Sequence, residues 1–396
     1  MVSVSEASSI IQNNLWQPAT EEVPLLKSIH RVLAEDIFAD RDFPPFDRVT
    51  MDGVAIFFET LQSGQRVFPV AGLQAAGMPI NKLSSYDVCM EVMTGAMLPV
   101  GADAVVKYED LKIVDSKAEI ISKTIIKNEN IHRAGKDAKQ GSLLIAKGTL
   151  ISSAEIPLMA SVGKSSVVVF TLPRTAIIST GDELVELDII PQAHQIRKSN
   201  VYAIAAGLSK FGIVTGHHHL EDNEAHIKQR LEKILDEHDL IILSGGVSKG
   251  KFDLIPKMLE SFGIQKHFHQ VSQRPGKPIW FGTGPHKTVF ALPGNPVSTF
   301  MCFYKYIEPW LTKSLGSSPI QVQAILDTDF VFNVPLTYFL QVKIINERGK
   351  ILARPIPGGG SGDFVNLKEV DGFLELPQGI VNFKKGEAYD FISFRK

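Results

Sequence analysis

Between Arg174 and Leu311 the chain alternates β-type and α-type segments, and this rhythm constrains the fold more than any other feature. "TAIIST" reads as a strand and "NVYAIAAGLSKFG" as a helix stopped by Gly212. "IVTGHHHL" is a strand, and "EAHIKQRLEKILDEH" is a helix with Asp222 or Asn223 at its N-cap. "LIIL", "FDLIPKMLESFG" and "TVFAL" continue as strand, helix and strand. "PVSTFMCFYKYIEPWL" closes the series as a helix with proline near its first turn. Such alternation specifies a parallel sheet covered by helices on both faces.

The chain has 396 residues, more than one ordinary domain needs. Residues 53–140 hold short β-type runs divided by turn residues, and after Gly316 short strands return for about 80 residues. The expected fold class is therefore multidomain α/β plus β. It has a central parallel-sheet α/β domain, a β-rich N-terminal lobe and a small C-terminal β-barrel. The expected boundaries are 1–44 plus 141–172 for a discontinuous N-terminal domain, 45–140 for the lobe, 173–316 for the α/β domain and 317–396 for the barrel. Residues 1–16 read as an amphipathic helix opened by a Ser3-x-x-Glu6 capping box, with the segment 1–23 able to pack on the α/β domain.

A net charge of −2 gives no global basic field, so nucleic acid is not an expected partner and any anion site must be local. Cys89 and Cys302 lie far apart, which fits a reducing compartment and two buried thiols. No apolar run approaches the roughly 18 residues of a membrane span, and the first residues lack a signal core. A cytoplasmic location without a membrane partner is expected.

In open α/β sheets, ligands bind beyond the carboxyl ends of the strands. Three loops fall there: "STGDEL" (179–184), "SGGVSKGKFD" (244–253) and "LPGNPVS" (292–298). Backbone N–H groups in glycine-rich turns and at helix starts bind anions. This singles out Gly245, Gly246 and Ser248 in the second loop and Gly294 in the third, where Pro293, which has no N–H, is a further candidate for substrate contact. Asp182, Glu183, Asp222 and Asp253 gather at the same edge. Carboxylates beside a phosphate cradle suit Mg²⁺, with Asp222 and Asp253 as candidate ligands. Both also stand where a helix begins, so capping is the competing reading. "SQRPGKP" offers Arg274 and Lys277 on a stiff turn, a pair suited to an oxyanion.

Three further stretches read singly as turns between strands. They carry Asp52 ("FPPFDRVTMDGVAI"), Thr94 ("VMTGAMLPVGADAVVKYED") and Arg133, Lys136 and Asp137 ("NIHRAGKDAKQG"). The triplet His217-His218-His219 lies on a strand, where neighbours face opposite ways, so at most two could share a site. It is not read as a metal site.

"RVLAEDI…DFPPFDRVTMDGVAI", "MTGAMLPVGADAVV", "STGDEL", "GGVSKGKFD", "RPGKP" and "LPGNPVS" occur in order between about residues 24 and 310. Together they resemble the molybdopterin molybdenumtransferases, the bacterial MoeA family, similar to the E domain of gephyrin. The resemblance implies an elongated four-domain homodimer with a MogA-like molybdopterin-binding α/β domain. It implies insertion of molybdate into the dithiolene of adenylylated molybdopterin with release of AMP, assisted by Mg²⁺. Molybdopterin adenylyltransferase and apo-molybdoenzymes are the partners it implies. On the α/β side Asp182, Glu183, Asp222, Asp253, Arg274, Lys277 and Ser298 match functional positions, and on the lobe side Asp52, Thr94 and Asp137 do. Asp253 would place the metal or the attacking oxygen. Four positions depart from the pattern: Gln270 stands for a lysine, Gln341 for an arginine, and Val365 and Asn366 for two serines. The last three lie where the family binds molybdate, and Arg354 is the candidate replacement cation. Two other readings are an adenylyltransferase, whose glycine loop reads differently, and a non-catalytic pterin-binding paralogue.

Overall fold

The structure, a computed structural model, describes residues 1–221, 223–246 and 254–395. It divides into two compact units. One comprises Met1–Ala34, Gly148–Ser153 and the chain from Ser166 onward; the other comprises Glu35–Lys147 and Ala154–Ser165.

The first unit is built around a six-stranded sheet. Its order is Thr215–Leu220, Thr175–Thr180, Leu240–Ser244, Lys287–Leu292, Trp280–Gly284 and Gln265–Phe268. The first four strands are parallel, as the alternation requires. The last two run antiparallel, so the sheet is mixed at one side. Alternate residues of each central strand serve opposite faces. Ile177, Ile242 and Phe290 pack under helix Ser199–Ser209 and the final helical segment. Ile178, Ile241, Val289 and Ala291 pack under helices Glu224–Glu237 and Leu254–Ser261. Both cysteines are buried, Cys302 in the first of these cores. Asn223 is the N-cap that the structure shows, its side chain accepting from the His226 N–H at 3.1 Å.

The final helical segment runs as α-helix Pro296–Cys302, π-helix Phe303–Ile307 and α-helix Glu308–Ser314. The adjoining barrel closes on itself through five strands: Val322–Leu326, Ala388–Ser393, Gly372–Leu376, Thr337–Glu347 and Lys350–Pro355, the last pairing back to the first. Phe339 and Phe373 of the barrel enter the same core as Trp310 and Phe290, so barrel and α/β layers share one hydrophobic interior.

The opening helix spans Val4–Gln12, shorter than the expected 1–16. The reason is tertiary. The Asn14 carbonyl accepts from Trp310 Nε1 at 3.0 Å, and the Trp16 N–H donates to Ser314 Oγ at 3.1 Å. Residues 14–16 are thus held by the last helix instead of a further helical turn. The capping box is present: the Ser3 N–H donates to Glu6 Oε2 at 2.7 Å, and the Glu6 N–H donates to Ser3 Oγ at 3.1 Å. Val4, Ala7 and Ile11 point into the α/β core. Ser3→Ala is expected to lower unfolding free energy by about 1 kcal/mol. A urea midpoint unchanged from wild type would show that the cap adds nothing to this docked helix.

The second unit holds a six-stranded sheet ordered Ala104–Lys107, Gly53–Ile56, Cys89–Val92, Val67–Gln74, Lys117–Ile120 and Leu111–Val114. Val54, Phe68, Cys89 and Val106 fill its core. Among the described residues no helix is long and apolar enough to cross a membrane.

Candidate active site

The chain leaves strand Thr175–Thr180 toward one side of the sheet and returns by Leu240–Ser244 on the other. The crevice beyond the carboxyl ends of these two strands is the topological switch point, where open α/β sheets bind ligands. A pocket of about 600 Å³ lies there. That volume suits a nucleotide-sized ligand.

All three loops expected at this edge line it. Thr180, Gly181 and Glu183 come from the first, Gly245 and Gly246 from the second, and Pro293, Gly294 and Asn295 from the third. Close approach explains the glycine at 245. Its φ is +96°, and a Cβ there would lie 2.8 Å from Thr180 Oγ1 and 3.3 Å from the Thr180 carbonyl oxygen. The Gly245 N–H donates to the Leu292 carbonyl at 3.1 Å, locking second loop to third.

Sequence reasoning missed two residues at the heart of the pocket. Asn200 Nδ2 donates to Ser244 Oγ at 2.9 Å and to the Gly294 carbonyl at 2.8 Å, so one side chain ties the second and third loops to the start of helix Ser199–Ser209. Lys198, immediately before that helix, also lines the pocket; it is 9% exposed and ion-paired with Glu186, which is 58% exposed. The Lys198 hydrogen bond holds the Glu186 carboxyl below its ordinary range. An ammonium at a helix N-terminus opposes the helix dipole and costs about 0.3–1 kcal/mol. The Lys198 ammonium, partnered by Glu186, and the first-turn N–H groups without a side-chain cap put hydrogen-bond donors on this wall of the pocket. The signal was the stretch "IRKSN": two cations, then Ser-Asn opening a helix.

The other expected residues fall as follows. Ser298 is buried in helix Pro296–Cys302. Arg274 and Lys277 are exposed on their turn, and Pro278 of the same turn lines the pocket. Asp182 is exposed beside Glu183. Asp222, Ser248 and Asp253 lie outside the described residues.

In the second unit Asp52 and Thr94 are joined. Asp52 Oδ1 accepts from the Thr94 N–H at 2.6 Å and from its hydroxyl at 2.7 Å. These bonds hold the Asp52 carboxyl below its usual value. Gly53 is required here because any Cβ would press into the Val106 carbonyl oxygen of the neighbouring strand. Asp137 pairs instead with His132 Nε2 at 2.8 Å, and Arg133 with Asp47 and Asn128. Lys136 is exposed.

In the barrel, Asn366 Nδ2 donates to Gln341 Oε1 at 3.0 Å. Two of the four residues that depart from the family pattern are thus bonded to each other. Arg354 does not stand in for the missing cation: its Nε and Nη2 both bind Asp327, each at 2.8 Å. Loop and pocket wall meet nearby, where the Asn295 amide donates to Ser361 Oγ at 2.9 Å and the Val297 N–H to the Ser361 carbonyl at 3.1 Å.

A switch-point pocket in this α/β sheet, with residues 176–313 matching the family model described as a probable molybdopterin binding domain, defines the chain as one of the proteins carrying that domain. Residues 2–163 match the MoeA N-terminal region (domain I and II), and residues 323–394 match the MoeA C-terminal region (domain IV). A molybdopterin molybdenumtransferase of Synechocystis is 40% identical with full coverage of both chains. One of Staphylococcus epidermidis is 33% identical over 99% of this chain and 95% of its own. The crystal structure of a molybdopterin biosynthesis MoeA protein from Pyrococcus horikosii superimposes with a TM-score of 0.84, at 31% identity and full coverage of both chains. The chain belongs to the molybdopterin molybdenumtransferase (MoeA) family. That match spans all three regions and leaves the adenylyltransferase and the non-catalytic readings without support.

Proposed function

We propose that this chain is a molybdenum insertase: it takes adenylylated molybdopterin and molybdate and yields molybdenum cofactor and AMP. The observation that carries the reading is the meeting of three glycine-containing loops at one switch-point pocket, in a chain that matches the family from end to end. The Gly246 N–H and the Lys198 ammonium, both at the pocket, bind the bridging phosphates. Asn200 keeps two loops in register around them. An oxygen nucleophile attacks the adenylyl phosphorus in line. The P–O bond to the pterin phosphate breaks and its electron pair stays on the molybdopterin phosphate oxygen, while the nucleophile's oxygen remains on the adenylyl phosphorus and leaves as part of AMP. Fixed donors around the phosphate stabilise the developing charge.

Mg²⁺ fits the chemistry of the donors. Glu183 at the pocket and its neighbour Asp182 supply hard oxygen ligands, and Asp222 and Asp253 are the further candidates. When bound, the ion would neutralise phosphate oxygens in the transition state. The working form is a cytoplasmic homodimer, with Asp52, Thr94 and Asp137 contributing from the β-rich unit. Molybdopterin adenylyltransferase supplies the substrate, and apo-molybdoenzymes receive the product.

The test is AMP release from adenylylated molybdopterin, with and without molybdate and Mg²⁺. Release that depends on both supports the proposal; tight binding without release sinks it. The Gln341–Asn366 pair gives a second prediction. Gln341→Arg adds a cation where a neutral amide stands, and a charge-assisted hydrogen bond contributes about 1.5–3 kcal/mol. Molybdate affinity by calorimetry should rise roughly tenfold. Unchanged or weaker binding would place the oxyanion elsewhere.

A further inference from the structure

Strand Thr215–Leu220 forms one edge of the α/β sheet, and its three histidines divide between faces. On one face His219 Nδ1 meets Ser179 Oγ at 3.0 Å, and His217 Nε2 meets Thr215 Oγ1 at 2.9 Å, so each has a hydrogen-bond partner. On the other face Gly216, His218 and Leu220 look toward helix Glu224–Glu237, where Leu220 packs with Ile227 and Leu231. His218 Nε2 is buried there without a hydrogen-bond partner. A buried nitrogen left unsatisfied costs about 1–3 kcal/mol, so its environment needs a reason.

His238, one residue past that helix, stands edge-on to His218, with ring centroids 5.5 Å apart at 81°. Its Nδ1 lies 2.9 Å from the Ile234 carbonyl oxygen. A carbonyl can only accept, so Nδ1 carries the proton and Nε2 presents its lone pair. Both Nε2 atoms converge on the space left by Gly216: a Cβ built there would lie 3.2 Å from each. Two imidazole Nε2 atoms thus border one gap that a missing side chain keeps open. The backbone carbonyl on the far nitrogen of His238 is the usual orienting partner of a metal-binding histidine.

We propose that His218 Nε2 and His238 Nε2 form a binding site for a borderline divalent ion of the Cu²⁺, Ni²⁺ or Zn²⁺ class, clipping the edge strand to the end of helix Glu224–Glu237. Nitrogen donors select these ions over Mg²⁺, so the site differs in chemistry from the carboxylates at the pocket. Among the described residues no group of three or more metal-ligating side chains occurs, so the two imidazoles are the protein's whole donor set here. Burial opposes positive charge beside His218 most, His238, Arg230 and His217 add to this, and Glu237 favours it. Affinity follows the order that places Cu²⁺ above Ni²⁺ and Zn²⁺.

Titration of the full-length protein with Cu²⁺ alone, read by paramagnetic resonance and by thermal midpoint, tests this. A saturable one-to-one site with nitrogen hyperfine coupling from two imidazoles is expected, and the midpoint should rise on binding. His218→Ala and His238→Ala should each weaken binding about tenfold or more. Gly216→Ala should do the same with both histidines retained, because its methyl occupies the gap. His217→Ala, on the opposite face, should bind as wild type does. Undiminished one-to-one binding in the His218→Ala/His238→Ala double variant overturns the proposal, and so does loss of binding in His217→Ala alone. Absence of saturable binding at micromolar Cu²⁺ in the wild type overturns it as well.

Discussion

Gly245→Val is expected to reduce AMP release by about a hundredfold or more, the scale of loss when reacting groups are displaced by about 1 Å. A branched side chain at φ +96° is strained, at a cost of about 1–3 kcal/mol. Its Cβ also meets the hydroxyl and carbonyl oxygens of Thr180. Relief requires the ends of strands Thr175–Thr180 and Leu240–Ser244 to part, and the bond from the Gly245 N–H to Leu292 is lost with them. The loss should therefore exceed what the fall in stability explains, and kcat/KM measured beside urea unfolding separates the two. Near-normal turnover would show that this loop does not cradle the reacting phosphate.

Lys198→Met is expected to raise KM for adenylylated molybdopterin by roughly 10–100-fold, the equivalent of one charge-assisted hydrogen bond to phosphate. Stability should hold or improve, for two reasons. The substitution removes a cation from a helix N-terminus, and the partner Glu186 is exposed enough to stay hydrated. Loss of substrate affinity without loss of stability marks a group kept for binding. Glu186→Gln frees the ammonium and should leave KM unchanged or lower it. If instead both variants unfold more easily and KM does not move, Lys198 is a structural ion pair and this wall of the pocket has no role in recognition.

Much of this site was legible because its parts are local. Glycine-rich turns after apolar runs place Gly245 and Gly294 at strand ends whatever the tertiary detail, and parallel alternation then brings those ends to one edge. Asn200 and Lys198 were not legible, because their importance arises from where a short strand, Ile196–Arg197, delivers the helix start. "SNVYA" alone reads only as a helix beginning. Strands Gln265–Phe268 and Trp280–Gly284 were missed for a related reason. The first is polar and outermost in the sheet, and the second follows a proline turn and ends on Gly-Thr-Gly, which reads as loop. Arg354 was misjudged because its carboxylate partner, Asp327, stands at the end of the neighbouring strand, 27 positions away in sequence. Long-range pairing of this kind leaves no local pattern.

The docking of the first helix on the last has a consequence for synthesis. Trp16 and Ser314 are 298 positions apart, so the first helix must wait for the last helix of the α/β domain before Ile11 and Ala7 reach their full core. At the usual pace of about 5–20 residues per second, that wait is roughly 15–60 s. During it an amphipathic, apolar-faced peptide stands free of its partner on the nascent chain. Only once the Trp310 indole is available can residues 14–16 dock on the last helix, so this contact closes after every strand of the α/β sheet has been made.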